Sequence, residues 1–245
     1  FLYYNLPAAF FITLGFLFIL NIFSCGRKKD YILTGVIIGL ATSLHYQGIF
    51  LLIPLLAAHF IRNDASEGPK RIFDSKALAC LASIIIVFIL CNPFILWQFN
   101  IFIERLKWNL ARLTTPVELG ASPKVNGYLD YAHIFLKYDP LISFLALIGA
   151  VICLKDKRGI LILSLPLTFY LSYGKAAEVH PEWVTPMLPF VALLSAYSLV
   201  SLVDKARVRQ DKRGPILFAV SLVVALPSII NTLNSELLIS ITDVR

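Results

Sequence analysis

Charged side chains are scarce in this sequence of 245 residues. Asp, Glu, Lys and Arg make up 15% of it, whereas 58% of the residues are hydrophobic. A water-soluble domain of this length exposes considerably more charge. The scarcity excludes water as the main solvent, and apolar stretches near the length of about 20 residues that crosses a bilayer recur along the chain. The sequence therefore predicts an all-α fold, a polytopic bundle of transmembrane helices.

Motifs of soluble enzymes are also missing. The sequence contains no P-loop, nucleotide fingerprint or catalytic triad. Its four cysteines form no C-x-x-C pair, and its four histidines lack paired-ligand spacing, so no metal centre is predicted. The net charge of +7 comes from short basic clusters between apolar stretches rather than from one basic face, which argues against a nucleic-acid partner.

The basic clusters predict a topology of about eight passes. Fifteen of the 22 Lys and Arg residues fall in four short loops on one side, which identifies that side as cytoplasmic and places both chain ends outside. Gly35 and Gly39 are four residues apart, a spacing that predicts close packing of two helices. The predicted spans are residues 6–24, two short helices within 31–61 joined by a turn at His45, and residues 77–96, 141–154, 160–173, 183–203 and 215–233.

A long outer loop, residues 98–140, separates the fourth and fifth spans. Its first part, residues 99–113, has apolar positions at helical spacing and predicts an amphipathic helix lying at the membrane interface. The other face of this helix carries Arg105 and Lys107. These bases could reach ordinary lipid headgroups or bind the phosphate of a specific lipid.

The second part of the outer loop mixes polar and aromatic residues, among them Lys124, Asp130 and His133 with Tyr128 and Tyr131. Two interpretations stay open. The mixture could bind a sugar by hydrogen bonding and stacking, or it could form the aromatic belt that membrane proteins carry at the interface.

The last outer loop, residues 173–189, places Lys175, His180 and Glu182 directly before a span interrupted by prolines. Ionisable groups at a membrane mouth are candidates for ligand contact. His45 lies at another outer turn, where an imidazole could meet an anion or could be a structural hydrogen-bonding residue. We therefore treat Lys175 and His180 as the leading candidates, and Glu182, His45 and His133 as further ones.

The order of several short motifs resembles the integral-membrane glycosyltransferases of the GT-C class. The resemblance is closest to glycosyltransferase family 39, the protein mannosyltransferases and aminoarabinose transferases, and it covers most of the chain. The motifs are residues 5–11 entering the first helix, 35–41 leading to His45-Tyr46, Asn92-Pro93-Phe94 before the outer helix, and His180-Pro181-Glu182-Trp183 before Pro186 and Pro189.

The resemblance implies transfer of a sugar from a polyprenyl-phosphate donor to an acceptor lipid, glycan or protein, on the non-cytoplasmic side of the cell (inner) membrane. It implies donor-phosphate contacts at Arg105, Lys107, Lys175 and His180, and it leaves a divalent metal as a candidate cofactor. The family's main acidic motif would lie upstream of Phe1, so we expect the chain to be N-terminally incomplete and inactive alone. Asn5 stands where the family often has Asp, and an amide cannot serve as a general base.

Two other functions stay open. A transporter or flippase of a lipid-linked sugar would also need outer cations and broken helices, although transporters usually bury ionisable groups at mid-membrane. A non-catalytic member of the same family is the other alternative, and Asn5 is the residue that motivates it.

Overall fold

The computed structural model describes residues 5–62, 74–111, 126–176, 179–206 and 210–242. All regular structure in these ranges is helical, which confirms the predicted all-α class. Three 3-10 segments among them, Tyr46–Leu51, Pro93–Leu96 and Pro181–Met187, are called the first, second and third 3-10 segments below. The helices are α1 (Asn5–Ser24), α2 (Lys28–Leu44), α3 (Leu52–Ile61), α4 (Ser75–Cys91), α5 (Phe99–Ala111), α6 (Gly127–Tyr138), α7 (Pro140–Cys153), α8 (Lys157–Gly174), α9 (Leu188–Lys205) and α10 (Gln210–Thr242).

Short polar residues start several helices. The side chain of Asp74 accepts a hydrogen bond from the backbone of Lys76 at the start of α4, and Asn126 caps α6 in the same way. Such caps satisfy amides that have no partner within the helix. Gly26 ends the turn after α1 with a positive φ of 58°, a conformation that glycine adopts without steric cost.

Two glycines allow α2 and α4 to pack closely. Carbon atoms added at Gly35 and Gly39 of α2 would collide with the backbone carbonyls of Cys80 and Ile84 in α4. The predicted role of this glycine pair is therefore confirmed. Elsewhere α1 packs against α2, α3 and the first and third 3-10 segments, while α3 and α8 pack together beside it. These contacts form the main apolar core, around Ile12, Phe16 and Phe169.

The helix bounds differ from the predicted spans at several points. The outer loop, predicted as a mostly polar segment with one helix, contains two: α5, and α6 at Gly127–Tyr138. The two last residues of the predicted interfacial helix, 112 and 113, lie outside the described residues. The fourth predicted span ends early, because Pro93 lacks a backbone N–H and begins a 3-10 segment after Cys91.

Length and composition single out two of the described helices as able to cross a membrane: Asn5–Ser24, and the continuous helical stretch Glu182–Lys205. Other apolar helices, among them Ser75–Cys91 and Pro140–Cys153, are shorter than 18 residues. Many large apolar side chains on these helices are exposed, including Phe10, Leu90 and Leu147.

Candidate functional site

A polar cluster forms where α2 and α8 end and where α3 and α9 begin. The first 3-10 segment joins α2 to α3, and the third one leads into α9, so both turns lie at the same end of the bundle. Helix α6 adds one tyrosine to this end through its packing on α8. We call the resulting group the His180 cluster; its members are Gln47, Tyr131, Tyr173, His180, Glu182 and Trp183.

His180 lies at the centre of the cluster. Its Nδ1 is 3.3 Å from Oε1 of Glu182, an ion-pair distance when the imidazole is protonated. Its ring lies against the indole of Trp183, with centroids 4.5 Å apart and planes 32° apart. The side chain of His180 is 19% exposed and that of Glu182 is 35% exposed. Solvent therefore reaches the imidazole only in part, and the aromatic face fixes its orientation.

Tyr131 of α6 holds the backbone of His180 in place. Its hydroxyl donates to the carbonyl oxygen of His180 at 3.4 Å and accepts from the backbone N–H of His180 at 3.2 Å. The side chain of Tyr131 is fully buried. Burial raises the pKa of Tyr131 well above its ordinary value, so the phenol keeps its proton and remains a donor.

Gln47 connects the first 3-10 segment to the third. Its Nε2 donates to the carbonyl oxygen of Trp183 at 3.1 Å, across 136 positions of sequence. Buried amides usually satisfy both ends, yet within the described residues Oε1 of Gln47 has no hydrogen-bond partner. Gln47 thus presents a buried acceptor inside the cluster.

The hydroxyl of Tyr173 is the second unsatisfied group. Tyr173 is 1% exposed, and its ring lies 5.2 Å from that of Trp183. The side chains of Gln47 and Tyr46 lie within hydrogen-bonding reach of this hydroxyl, although among the described residues it makes no hydrogen bond of standard geometry. A buried unsatisfied polar group costs about 1–3 kcal/mol. Because the two groups lie close together, a small shift would let the phenol donate to the amide oxygen, and an ordered water or a polar ligand would satisfy both instead.

His45 lies next to the cluster and has a structural role. Its Nδ1 accepts a hydrogen bond from the backbone N–H of Gln47 at 3.3 Å, and its ring stacks on Tyr46 with centroids 4.4 Å apart. Burial lowers the pKa of His45, because an apolar surrounding disfavours the charged imidazolium. The neutral imidazole therefore positions the 3-10 segment that carries Gln47.

Two further predicted residues lie around the same end. Lys175 is exposed at the C-terminal cap of α8, two residues after Tyr173. Asn5 is buried at the first position of α1, the helix that packs on the first and third 3-10 segments. The structure thus brings His180 and Glu182 together and places Lys175 beside the end of α8.

The other predicted residues lie apart. Arg105 and Lys107 are exposed on α5, which packs chiefly against the second 3-10 segment and touches Phe88 of α4 through Phe102. His133 is exposed on α6, two positions after the buried Tyr131. Lys124 lies outside the described residues. Among the described residues, the extensive packing of α5 is with the second 3-10 segment rather than with the elements that form the His180 cluster.

Sequence reasoning did not identify Gln47 or Tyr173 as site residues. Each is a polar residue within or beside an apolar stretch, which is the only local indication of a buried hydrogen-bonding role. Gln47 meets Trp183 across 136 positions of sequence, and Tyr173 meets it where the end of α8 lies against the third 3-10 segment.

Metal ligands do not gather in this site. Across residues 5–62, 74–111, 126–176, 179–206 and 210–242, no group of three or more His, Cys, Asp or Glu residues is arranged to hold a metal ion. Chemistry at the cluster would rest on hydrogen bonding, aromatic stacking and the His180–Glu182 pair.

The fold and the cluster define a helical bundle with a partly enclosed, aromatic-lined polar site at one end. Protein-family models, curated proteins and solved structures give no match to this chain. The functional argument therefore depends on the residues themselves.

Proposed function

We propose that the chain forms part of an integral-membrane glycosyltransferase of the GT-C class, which transfers a sugar from a polyprenyl-phosphate donor on the non-cytoplasmic side of the cell membrane. The observation that carries this proposal is the pair of buried polar groups, Gln47 Oε1 and Tyr173 Oη, which make no hydrogen bond of standard geometry among the described residues and lie within an aromatic-lined site. Sugar hydroxyls both donate and accept, so they can satisfy a carbonyl oxygen and a phenol together.

The proposal includes the eight-pass topology. The exposed apolar side chains on α1, α4 and α7 are costly in water and favourable in hydrocarbon. Helices of 14 to 17 residues, such as α4 and α7, can cross where neighbouring helices or a thinned bilayer accommodate them. The turns that carry the His180 cluster then lie on the side opposite the basic loops.

The cluster offers groups for both parts of the donor. Trp183, which is 8% exposed, forms an aromatic wall beside these groups together with the rings of Tyr173 and His180. His180, when protonated, and the exposed Lys175 supply positive charge for the phosphate. The role proposed for the cluster is binding, and none of its residues is assigned as the catalytic base.

Arg105 and Lys107 take a different part in this proposal. Because α5 is exposed and packs chiefly on its neighbouring segment, its bases are placed to contact lipid headgroups at the membrane surface. The primary phosphate contacts are therefore assigned to His180 and Lys175.

The test compares two histidines of equal chemistry. The longest protein that contains this chain is purified into lipid nanodiscs, and binding of labelled undecaprenyl phosphate is measured for the H180Q and H133Q variants. Because a hydrogen bond to a charged group contributes about 1.5–3 kcal/mol, H180Q should weaken binding roughly tenfold or more. H133Q, which changes an exposed side chain, should bind within about twofold of the parent.

Two outcomes would contradict the proposal. Equal effects of H180Q and H133Q would show that the His180 cluster is not the binding site. No binding by the parent protein would show that a polyprenyl phosphate is not its ligand. Transfer of sugar from an undecaprenyl-phosphate sugar that is labelled in the sugar separates a transferase from the alternatives. Movement of this labelled lipid between the leaflets of reconstituted vesicles without transfer would identify a flippase, and binding alone would identify a non-catalytic family member.

A further inference from the structure

A cavity lies between α3 and α4, at the end of the bundle opposite the His180 cluster. It encloses about 350 Å³. Helix α4 packs closely on α2 through Gly35 and Gly39, whereas α3 packs on α1 and α8, so the two helices diverge and leave a cleft. Tyr31 of α2 lies within it. The lining residues that carry the argument are Tyr31, Leu55, His59, Ala77, Cys80 and Leu81.

The polar atoms of the cleft are satisfied within the protein. The hydroxyl of Tyr31 and Nδ1 of His59 form a hydrogen bond of 2.6 Å, and both side chains are buried. The remaining lining is aliphatic, aromatic or thiol. Cavities of this kind do not retain water, so the chemistry that fits is a hydrocarbon chain rather than a polar molecule.

Basic residues lie next in sequence to lining residues at one end of the cleft. Lys76 immediately precedes the lining residue Ala77 at the start of α4, and Lys28 and Lys29 begin α2 shortly before Tyr31. Lys28 and Lys29 are exposed and Lys76 is half-buried. Two neighbouring arginines are already engaged: Arg27 pairs with Asp30 at 3.0 Å, and Arg62 points at the carbonyl of Ile22. Among the described residues, these three lysines therefore provide positive charge at this end.

We propose that this cleft binds one acyl chain of an anionic phospholipid, with the lipid phosphate at Lys76 and the Lys28–Lys29 pair. The inference rests on the membrane location in the proposed function and not on sugar transfer. Bulk lipid competes for the cleft with equally apolar chains, so the hydrocarbon contact alone gives little preference. Selectivity must come from the headgroup, and basic pockets between helices on the cytoplasmic side favour anionic lipids.

The experiment uses nanodiscs that contain equal amounts of phosphatidylglycerol and phosphatidylcholine. The full chain is released from them into native mass spectrometry, and retained phospholipids are identified by mass. We expect one tightly retained phosphatidylglycerol per protein. Failure of the chain to enter the bilayer at all would overturn both this inference and the membrane part of the proposed function.

Matched variants separate the cleft from unspecific lipid contact. A77F fills the cleft, and A82F places the same ring at an exposed position one and a half turns further along α4. A77F should lower phosphatidylglycerol retention about fivefold while A82F leaves it unchanged. K76Q should reduce the preference for phosphatidylglycerol about fivefold, in contrast to K155Q at the exposed turn between α7 and α8.

Three results would overturn the inference. One is equal retention of the two lipids by the parent protein. Another is equal loss of retention in A77F and A82F. The third is a lipid preference in K76Q that matches the preference in K155Q. Each of these can occur while undecaprenyl phosphate still binds at the His180 cluster, so the two proposals fail separately.

Discussion

The His180 cluster and helix α5 look alike in sequence and differ in structure. His180 with Trp183, and Trp108 with its neighbouring bases, come from segments predicted as outer loops, and both segments combine positive charge with tryptophan. Trp183 is 8% exposed and meets residues from several helices, whereas Trp108 of α5 is 43% exposed on a helix that packs chiefly on its neighbour in sequence. Only the cluster contains buried polar groups held at fixed distances. Residue types in the sequence therefore identify candidate sites, but a defined site forms only where elements distant in sequence pack together.

Displacing the first 3-10 segment should have the largest effect, because it would remove the packing that distinguishes the His180 cluster from α5. A side-chain carbon at Gly48 would collide with the backbone of Ala41 and Thr42, so G48A should destabilise the protein by about 1–3 kcal/mol and disorder the cluster. Gly214 in α10 has nothing within 4 Å of the same carbon. Thermal unfolding in detergent, followed by circular dichroism, should show a lower midpoint for G48A alone. Equal midpoints for G48A and G214A would contradict the packing of this segment.

A smaller change tests the support under His180. Y131F removes the hydroxyl that bridges the backbone N–H and carbonyl of His180, so stability should fall by about 1–3 kcal/mol through a buried unsatisfied group. Y138F, at the exposed end of α6, is the matched control. We expect denaturant unfolding to show the loss in Y131F only, together with faster proteolysis next to His180. If Y138F costs as much, Tyr131 has no special role.

The pH dependence of stability tests whether His45, beside the cluster, is buried in the folded protein. Burial lowers the pKa of His45 in the folded state, so the unfolded chain binds the extra proton first. Stability from this group is complete above the unfolded value of about 6.5 and decreases as the pH falls below it. Unfolding midpoints measured between pH 8 and pH 5 should fall less steeply in H45Q than in the parent. Identical slopes in the two proteins would disprove the burial effect.

The sequence predicted much of the fold because helix-length apolar stretches and their stops are local. The all-α class, the turn at His45 and the Gly35–Gly39 contact all follow from spacing of a few residues. The split of the outer loop into α5 and α6 was missed, since the polar start of α6 depends on its cap, Asn126, and on packing against α8.

The site was predicted only in part. His180 and Glu182 lie two positions apart, so their ion pair could be anticipated from the sequence. Gln47 and Tyr173 could not, because burial and the contact with Trp183 arise from tertiary packing. For Arg105 and Lys107 the shared phosphate site, which the family resemblance implied, stays a prediction: the fold places both on α5, which packs chiefly on the second 3-10 segment.

The most direct test measures binding of labelled undecaprenyl phosphate in nanodiscs for H180Q and for the double variant R105Q/K107Q at two salt concentrations. The cluster account predicts a loss of roughly tenfold or more in H180Q at both salts. It predicts only a modest loss in R105Q/K107Q, which disappears at high salt because exposed charges are screened. Strong, salt-independent loss in R105Q/K107Q, with normal binding in H180Q, would contradict the account and place the ligand on α5.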